Sequence, residues 1–311
     1  MDLNTLPVLS LAADKARLSQ EIGDSFRQYG FALIKDHGLD PALVARAWDL
    51  TEQFFKLPDA AKRAYLIPGQ GGARGYTAFG TEIAKGATAH DLKEFWHVGR
   101  DLPDGHILAD SMPPNVWPTE IVGFRETFEE LYAELDRVGG VILSRIATYL
   151  DLPADWFEAG IFEGNSVLRL LHYPPVDTDA GERIRAGAHE DINLITLLLG
   201  AEEAGLELLT REGKWIGIHP PDGALVVNIG DMLQRLTNHV LPSTTHRVRN
   251  PQGSRAGFSR YSMPFFLHLR SDFPFVTLPQ CITAQNPDRY PVSITADDYL
   301  QERLREIGLK K

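Results

Sequence analysis

A histidine and an acidic residue stand two positions apart where a long apolar segment begins, in the stretch AHEDINLITLLLG at residues 188–200. In an extended strand, residues i and i+2 point to the same face, so His189 and Asp191 are expected to project together while Glu190 points away. An imidazole and a carboxylate on one face can bind a single metal ion. The pair is weak evidence by itself, because a chain with ten histidines and 42 acidic residues contains such a pair by chance.

A second candidate ligand lies downstream, in the stretch NHVLPSTTHRVRNP at residues 238–251. We favour His246 over His239 as the third ligand, because His246 lies in a segment of strand character whereas His239 follows an Asn in a sequence typical of a turn. Two histidines and one carboxylate on one face of an ion leave its opposite face open. That geometry suits a non-haem Fe(II) that must bind O2 and an organic molecule.

The segment Arg260-Tyr261-Ser262 offers a different chemistry. Strand alternation puts Arg260 and Ser262 on one face, where a guanidinium fork and a hydroxyl are well suited to bind a carboxylate. An Arg in isolation is more often solvated beside a turn. Next to a metal site, however, the pair indicates a cosubstrate that bears a carboxylate.

The elements that must position these side chains change in character near residue 165. Before this point most of the chain shows helical spacing, and one long amphipathic helix, or two, is predicted from about residue 119 to residue 150. The exceptions are a short strand predicted at FALIK (31–35) and a Gly-rich segment at 69–80, which is predicted as a surface loop. After residue 165, short strand segments are separated by Pro, Gly and Asn, until a last helical segment begins with Thr295 and Asp298 at capping-box spacing. Regularly spaced short strands are typical of a sandwich or barrel. We therefore predict a mainly β, α+β fold, with a jelly-roll core and flanking helices.

Composition narrows the range of partners. The 311 residues carry a net charge of -11, so neither a nucleic acid nor an anionic membrane surface is expected as a partner. No apolar run reaches the roughly 18 residues of a membrane span, and the first residues show no secretory signal. Cys281 is the only cysteine, which excludes an internal disulfide and a cysteine-based metal site and fits a cytoplasmic location.

The ordered set of motifs, with HED at 189–191, His246 in STTHRV and RYS at 260–262, resembles the 2-oxoglutarate/Fe(II)-dependent oxygenases of the isopenicillin N synthase-like superfamily. The resemblance extends over nearly the whole chain, from YGFALIKDHGLD to SRYSMPFFLH. It implies a dioxygenase that uses Fe(II), 2-oxoglutarate and O2 to hydroxylate, desaturate or cyclise a small molecule, with release of succinate and CO2.

The resemblance also implies a role for each site residue. By this likeness the iron ligands are His189, Asp191 and His246, and the cosubstrate ligands are Arg260, Ser262 and Tyr173. Many plant members have Asn two residues before this Tyr, whereas this chain has Leu171, so one polar contact to the cosubstrate is missing or replaced.

The same likeness predicts the domain organisation. It implies a mostly helical N-terminal region over residues 1–115, a backing helix over 116–164, and a double-stranded β-helix domain with a C-terminal helix over 165–311. We expect the three parts to form one compact unit, and we expect a monomer.

The stretches GYTAFGTE and DLKEFWHVG resemble the part of the family that borders the substrate. They make Tyr76, Phe95 and His97 candidate pocket residues. Phe265 and Phe266 must point to opposite faces of a strand, and we take Phe265 as the pocket residue.

Three alternatives remain open at this point. An isopenicillin N synthase-type oxidase would use O2 without 2-oxoglutarate, and Arg260 with Ser262 would then hold the substrate's own carboxylate. An ethylene-forming enzyme would fragment 2-oxoglutarate itself with the same ligands. A non-catalytic binding barrel would keep the fold without turnover, although an intact ligand set argues against it.

Overall fold

The computed structural model describes most of the chain. The described residues are 6–68, 73–81, 91–175, 185–199, 205–250 and 257–306. The helices are α1 (Lys15–Tyr29), α2 (Pro41–Phe55), α3 (Asp59–Arg63), α4 (Phe124–Tyr149), α5 (Glu158–Ile161), α6 (Asp231–Leu236) and α7 (Ala296–Glu306), with a 3-10 turn at Pro279–Cys281. The strands are β1 (Val8–Ser10), β2 (Phe31–Lys35), β3 (Gly75–Thr77), β4 (Glu94–Gly99), β5 (Val167–Tyr173), β6 (Ala186–His189), β7 (Ile195–Leu199), β8 (Leu206–Leu209), β9 (Trp215–Gly217), β10 (Leu225–Ile229), β11 (His246–Val248), β12 (Arg260–Leu267), β13 (Pro274–Phe275) and β14 (Ile294–Thr295).

Two sheets form the core. The large sheet has eight strands in the order β1-β2-β10-β7-β12-β5-β4-β3, and the small sheet has four in the order β6-β11-β8-β9. A third sheet pairs only β13 with β14. Apolar side chains from both large and small sheets pack together between them, including Phe31 and Val226 from the large sheet and Leu208 and Val248 from the small one. The predicted jelly-roll core with flanking helices is confirmed.

Helix α4 covers the outer face of the large sheet. Its apolar stripe places Phe128, Leu135 and Ile142 at 0% exposure, because residues three and four apart share one face of a helix. Gly139 allows close approach: a Cβ on this residue would lie 2.3 Å from a methyl carbon of Leu267 in β12. The predicted amphipathic helix is therefore confirmed as one continuous helix, which begins at residue 124 rather than near 119.

Local sequence signals set several element ends. Gly30 terminates α1 with φ of 68°, a conformation that favours glycine. A Cβ at this position would lie 2.2 Å from Oγ1 of Thr244, so glycine also lets the chain pass close to the segment before β11. The side chain of Asp40 caps α2 by accepting from the Ala42 amide. At α7, the amide of Asp298 donates to Thr295 Oγ1 at 3.0 Å, as the capping-box spacing predicts.

The N-terminal part contains more strand than its helical periodicity indicated. β1 and β2 extend one edge of the large sheet and β3 and β4 extend the other, beside the helices α1 to α3. β2 is the short strand predicted at residues 31–35, and that prediction is confirmed. β1, β3 and β4 are only three to six residues long, too short for a clear periodic signal. The Gly-rich segment 69–80, predicted as a surface loop, lies partly outside the described residues, and Gly75–Thr77 within it forms β3. The division at residues 115 and 164 stays a prediction.

Among the described residues, no helix has both the length and the apolar composition needed to cross a bilayer.

Candidate functional site

The predicted metal ligands come from three segments that meet where the two sheets approach each other. β6 ends at His189 and β11 begins at His246, and the two residues are register partners in the small sheet. Asp191 lies just beyond β6, in the connection that crosses to β7 of the large sheet. One ligand atom from each of these three residues lies within 4.8 Å of the others. We call His189, Asp191 and His246 the triad.

The triad forms for a different reason from the one that the sequence suggested. His189 and Asp191 were expected on one continuous strand, but β6 stops at His189 and β7 starts only at Ile195. The chain turns between the two sheets here, and the amide of Asp231 holds the Asp191 carbonyl at 2.7 Å. This turn brings Asp191 Oδ1 to 3.8 Å from Nε2 of His189 and 3.8 Å from Nε2 of His246. The two side chains do converge, but strand alternation is not the cause.

Both imidazoles of the triad are oriented through their Nδ1 atoms. Nδ1 of His189 lies 2.7 Å from the Gly187 carbonyl, and Nδ1 of His246 lies 3.1 Å from the Thr244 carbonyl. A carbonyl only accepts, so Nδ1 carries a proton in each ring and Nε2 is the atom that faces Asp191. Burial, and after it the nearby His246, lowers the pKa of His189 to about 4, although 38% of its side chain is exposed. A neutral imidazole is the form that binds metals.

The carboxylate of Asp191 is held through the oxygen that faces away from the histidines. Its Oδ2 accepts from Thr196 Oγ1 at 2.5 Å and from Asn228 Nδ2 at 2.8 Å. Burial alone would raise the pKa of Asp191, but the two histidines and the two hydrogen bonds together lower it. Asp191 is therefore ionised, and Oδ1 is left to act as the third donor.

The sequence motifs do not point to the two residues that orient Asp191. Asn228 lies within β10, and Thr196 lies in β7. Each is the only polar residue in an otherwise apolar five-residue strand. A single polar residue in a buried strand needs a hydrogen-bond partner, so this pattern was the available signal.

Replacing Thr196 by valine is expected to weaken metal binding about 10–100-fold, the usual effect of losing a group that orients a metal ligand. Valine has nearly the same shape, so the fold should persist while Asp191 loses one donor. Thr51→Val is the matched control, because this buried hydroxyl donates to the Ala47 carbonyl within α2 and lies outside the pocket lining. Equilibrium dialysis with Fe(II) on both variants measures the effect, and equal affinities would contradict the assigned role.

His239 lies apart from the triad, as the sequence predicted. Its Nε2 is 2.6 Å from the hydroxyl of Tyr290, and its backbone φ is 65° in a turn. Among the described residues, the group able to hold a metal contains His246 and not His239.

The residues predicted to bind a carboxylate also lie together. β12 and β5 are antiparallel neighbours, and Arg260 is the register partner of Tyr173. Nη1 of Arg260 donates to Ser262 Oγ at 3.5 Å, and its guanidinium carbon lies 5.1 Å from the centre of the Tyr173 ring. All three are at most 3% exposed, and all three line the pocket that contains the triad. We call Arg260, Ser262 and Tyr173 the carboxylate clamp.

Leu171 occupies the pocket wall between the clamp and the next strand. It is the register partner of Ser262 on one side and of Phe95 on the other. Leu171 packs in the core between the sheets and lines the pocket. An apolar side chain therefore stands where many plant members have an amide.

Two of the predicted pocket residues lie on the wrong face. Phe265 is 0% exposed and packs edge-to-face on Tyr132 of α4, at 5.0 Å between ring centres. Phe266 lines the pocket instead, since it shares its face of β12 with Arg260 and Ser262. Tyr76 is 2% exposed and packs on Phe54 of α2, on the helix side of the large sheet. The assignment of Phe265 and Tyr76 to the pocket is wrong.

Phe95 and His97 lie on the pocket side of the large sheet, behind Arg169, a residue that the sequence motifs do not point to. Arg169 lines the pocket, and its guanidinium carbon lies 4.2 Å above the centre of the Phe95 ring. Its Nε donates to His97 Nε2 at 2.5 Å. Arg169 precedes Tyr173 by four residues in β5, so strand alternation puts both on one face. Phe95 and His97 thus support the pocket wall through Arg169.

A buried charged cluster ties α3 to the strands under the clamp. Glu94 accepts two bonds from Lys62 Nζ, at 2.7 and 2.9 Å, one from the Tyr76 hydroxyl, and lies 2.7 Å from His172 Nδ1. Burial alone would raise the pKa of Glu94, but the hydrogen bonds from His172, Lys62 and Tyr76 lower it. We call these four residues the Glu94 network. It lies on the helix side of the large sheet and joins β4 to the strand that carries Tyr173.

Lys62→Met is expected to lower the free energy of unfolding by about 3–5 kcal/mol, because it leaves a buried carboxylate without its charged partner. The side chains of Lys62 and Glu94 are only 10% and 4% exposed. Arg125→Met breaks the exposed pair with Glu129 and is the control, with an expected loss too small to measure. Urea unfolding of both variants tests this, and a Lys62→Met protein as stable as the control would contradict it.

Comparison with known proteins gives the family. Residues 2–120 match the family model for the non-haem dioxygenase in morphine synthesis N-terminal region, and residues 164–269 match that of the 2OG-Fe(II) oxygenase superfamily. The chain is 33% identical over 299 residues to the 2-oxoglutarate-Fe(II) type oxidoreductase hxnY of Emericella nidulans, covering 93% of this chain and 84% of that protein.

Solved structures agree in fold over almost the full length. A 2OG-Fe(II) oxygenase family protein from Caulobacter crescentus is 57% identical, with a TM-score of 0.92 and coverage of 98% of this chain and 99% of that one. A full-length Neurospora crassa protein in complex with alpha-KG and thymine is 28% identical, with a TM-score of 0.86 and coverage of 98% of both chains. With its jelly-roll core and the triad between the sheets, the chain belongs to the 2-oxoglutarate/Fe(II)-dependent oxygenases, and it is a dioxygenase that uses Fe(II), 2-oxoglutarate and O2.

Proposed function

We propose that the triad holds the iron of this dioxygenase and that the carboxylate clamp binds the distal carboxylate of 2-oxoglutarate. The observation that carries the proposal is the convergence of two imidazoles and one carboxylate, with Asp191 Oδ1 3.8 Å from Nε2 of each histidine. The clamp lines the same pocket as the triad, on the neighbouring strands β5 and β12.

The donor set fits Fe(II). Two nitrogen donors and one carboxylate oxygen on one side of an ion leave its other positions for exogenous ligands, the arrangement of non-haem Fe(II) oxygenases. The donors are already arranged for a metal, because both rings present Nε2 to Asp191 and the lowered pKa of Asp191 keeps its carboxylate ionised. Thr196 and Asn228 hold the remaining carboxylate oxygen, so the ligand is oriented before the metal binds.

Bound iron, together with 2-oxoglutarate and O2, supplies the oxidising chemistry that yields succinate and CO2. The protein's own residues bind, orient and exclude water. Arg260 and Ser262 offer charged and neutral donors to the distal carboxylate, and the Tyr173 ring packs against the guanidinium. Leu171 and Phe266 give the pocket an apolar wall, which limits water beside the reacting groups.

The substrate is a small molecule, and the printed names of the relatives show that its identity does not follow from the family. One relative is named a proline hydroxylase, one structure contains thymine and another contains JA. Hydroxylation, desaturation and cyclisation all stay possible outcomes of the same site. The absence of a nucleic-acid partner and the cytoplasmic location stay predictions from the sequence, and the monomeric state stays a prediction from the family resemblance.

Metal removal tests the proposed iron site. Dialysis against a chelator is expected to abolish succinate formation from 2-oxoglutarate, and Fe(II) added back anaerobically is expected to restore it with about one ion per chain. Relatives whose names include 2-oxoglutarate favour a 2-oxoglutarate-dependent dioxygenase over an oxidase that uses O2 without 2-oxoglutarate. Iron binding without any 2-oxoglutarate binding would contradict the clamp and favour the oxidase.

A further inference from the structure

Arg169 is a second pocket arginine, distinct from Arg260 of the clamp. Both line the pocket that contains the triad, but they stand on different strands. Arg260 is the register partner of Tyr173, and Arg169 lies four residues further back along β5. At roughly 3.3 Å per residue, the backbone positions of Arg169 and Tyr173 are about 13 Å apart. Leu171, which is apolar, lies between them on the same face.

The Arg169 side chain is held in one orientation by its surroundings. Its guanidinium carbon lies 4.2 Å above the Phe95 ring and 5.3 Å above the Phe266 ring, and its Nε donates to His97 at 2.5 Å. Two rings and one hydrogen bond therefore fix the plane of the group. A guanidinium fixed in this way is preorganised, so less side-chain entropy is lost when it binds a ligand.

We infer that Arg169 is the substrate-recognition residue and that the substrate is a small carboxylic acid with an apolar body. This inference rests on the proposed function, in which Arg260 is committed to 2-oxoglutarate. A planar fork matches a carboxylate through two parallel hydrogen bonds. Phe266, Pro264 and Leu198 line the pocket near this position and provide apolar surface for the rest of the molecule.

The test compares acids with their neutral amides in the absence of turnover. Protein loaded with Zn(II) in place of iron and saturated with 2-oxoglutarate is titrated with phenylacetate, 3-phenylpropionate, hexanoate and cyclohexanecarboxylate, and with the primary amide of each. Saturating 2-oxoglutarate keeps these acids from the clamp. Binding is measured by ligand-observed NMR. For at least one pair, the acid is expected to bind ten-fold or more tightly than its amide.

Variants assign that preference to Arg169. Arg169→Gln is expected to remove the difference between acid and amide, and Arg169→Lys to retain part of it because the charge remains without the fork. Arg247→Gln is the matched control, since Arg247 bonds Glu207 and lies outside the pocket lining. It is expected to keep the full preference.

Two results overturn the inference. The first is a wild-type protein with no acid preference in any pair, including one that instead prefers the amides. The second is an acid preference that survives in Arg169→Gln. A separate titration with 2-oxoglutarate keeps the proposed function distinct: if wild-type protein fails to bind 2-oxoglutarate, the clamp assignment has failed rather than the role of Arg169.

Discussion

Asp191→Ala is expected to lose tight iron binding and with it succinate formation. The substitution removes the only carboxylate of the triad, so the remaining histidines would offer two neutral donors to a divalent cation. Loss of a group that merely orients a ligand costs about 10–100-fold in affinity, and loss of the ligand itself is expected to exceed that range. Iron content after gel filtration and succinate formed per chain measure the two effects.

Glu190→Ala is the matched control for this prediction. Glu190 adjoins Asp191 in sequence and carries the same charge, but its side chain is exposed and accepts from Thr245 Oγ1 at 2.8 Å. It is expected to keep both iron and turnover. If the two variants retain equal amounts of iron, the third donor does not come from Asp191.

Arg260→Leu is expected to raise the dissociation constant for 2-oxoglutarate by at least about 30-fold while the iron stays bound. Truncation of one partner in a buried, hydrogen-bonded charge pair costs about 2 kcal/mol or more. Arg260 is 3% exposed, so water cannot replace the lost donor easily. Anaerobic titration of the Fe(II)-loaded variant with 2-oxoglutarate gives the constant directly.

Smaller changes at the clamp sharpen this prediction. Ser262→Ala removes a neutral hydroxyl and is expected to cost about 0.5–1.5 kcal/mol, clearly less than Arg260→Leu. Arg260→Lys keeps the charge without the planar fork, so its affinity should fall between those of the wild type and Arg260→Leu. An Arg260→Leu protein with unchanged affinity for 2-oxoglutarate would show that the cosubstrate binds elsewhere.

The parts of the site predicted from the sequence are those set by local chemistry. His246 was preferred to His239 because strand-forming and turn-forming residues surround them differently, and the structure places His246 in β11 and His239 in a turn. Arg260 and Ser262 share a face through strand alternation alone. Helix α4 followed from its apolar stripe, which any helix of that length must bury.

Strand alternation along β12 already places Phe266, and not Phe265, on the pocket face. Once Arg260 and Ser262 are placed on the pocket face of β12, alternation puts Pro264 and Phe266 there too and turns Phe265 to the other side. Tyr76 is a different case, because its face depends on how β3 pairs with β4. Its partner in that pairing is Trp96, which faces the helices, and sequence alone does not give the register.

The convergence of Asp191 with the histidines depends on tertiary structure. It requires the chain to leave the small sheet after His189 and enter the large sheet at Ile195, a crossing that periodicity within one apolar run does not reveal. The bonds from Thr196 and Asn228 to Asp191 likewise join two separate strands of the large sheet. Asn228 is 37 residues from Asp191 in the chain, and even Thr196, five residues away, reaches it only through the turn between the sheets. The lone polar residue in each strand was therefore the only hint of these bonds.

The most direct test of the proposed site is succinate formation by three proteins prepared alike. Wild type, His246→Ala and His239→Ala are loaded anaerobically with Fe(II), mixed with 2-oxoglutarate and exposed to O2, and succinate is quantified together with headspace ethylene. The account predicts succinate from wild type and His239→Ala and none above background from His246→Ala. Succinate from His246→Ala at the wild-type rate, with all three proteins folded, would contradict the assignment of the iron to the triad.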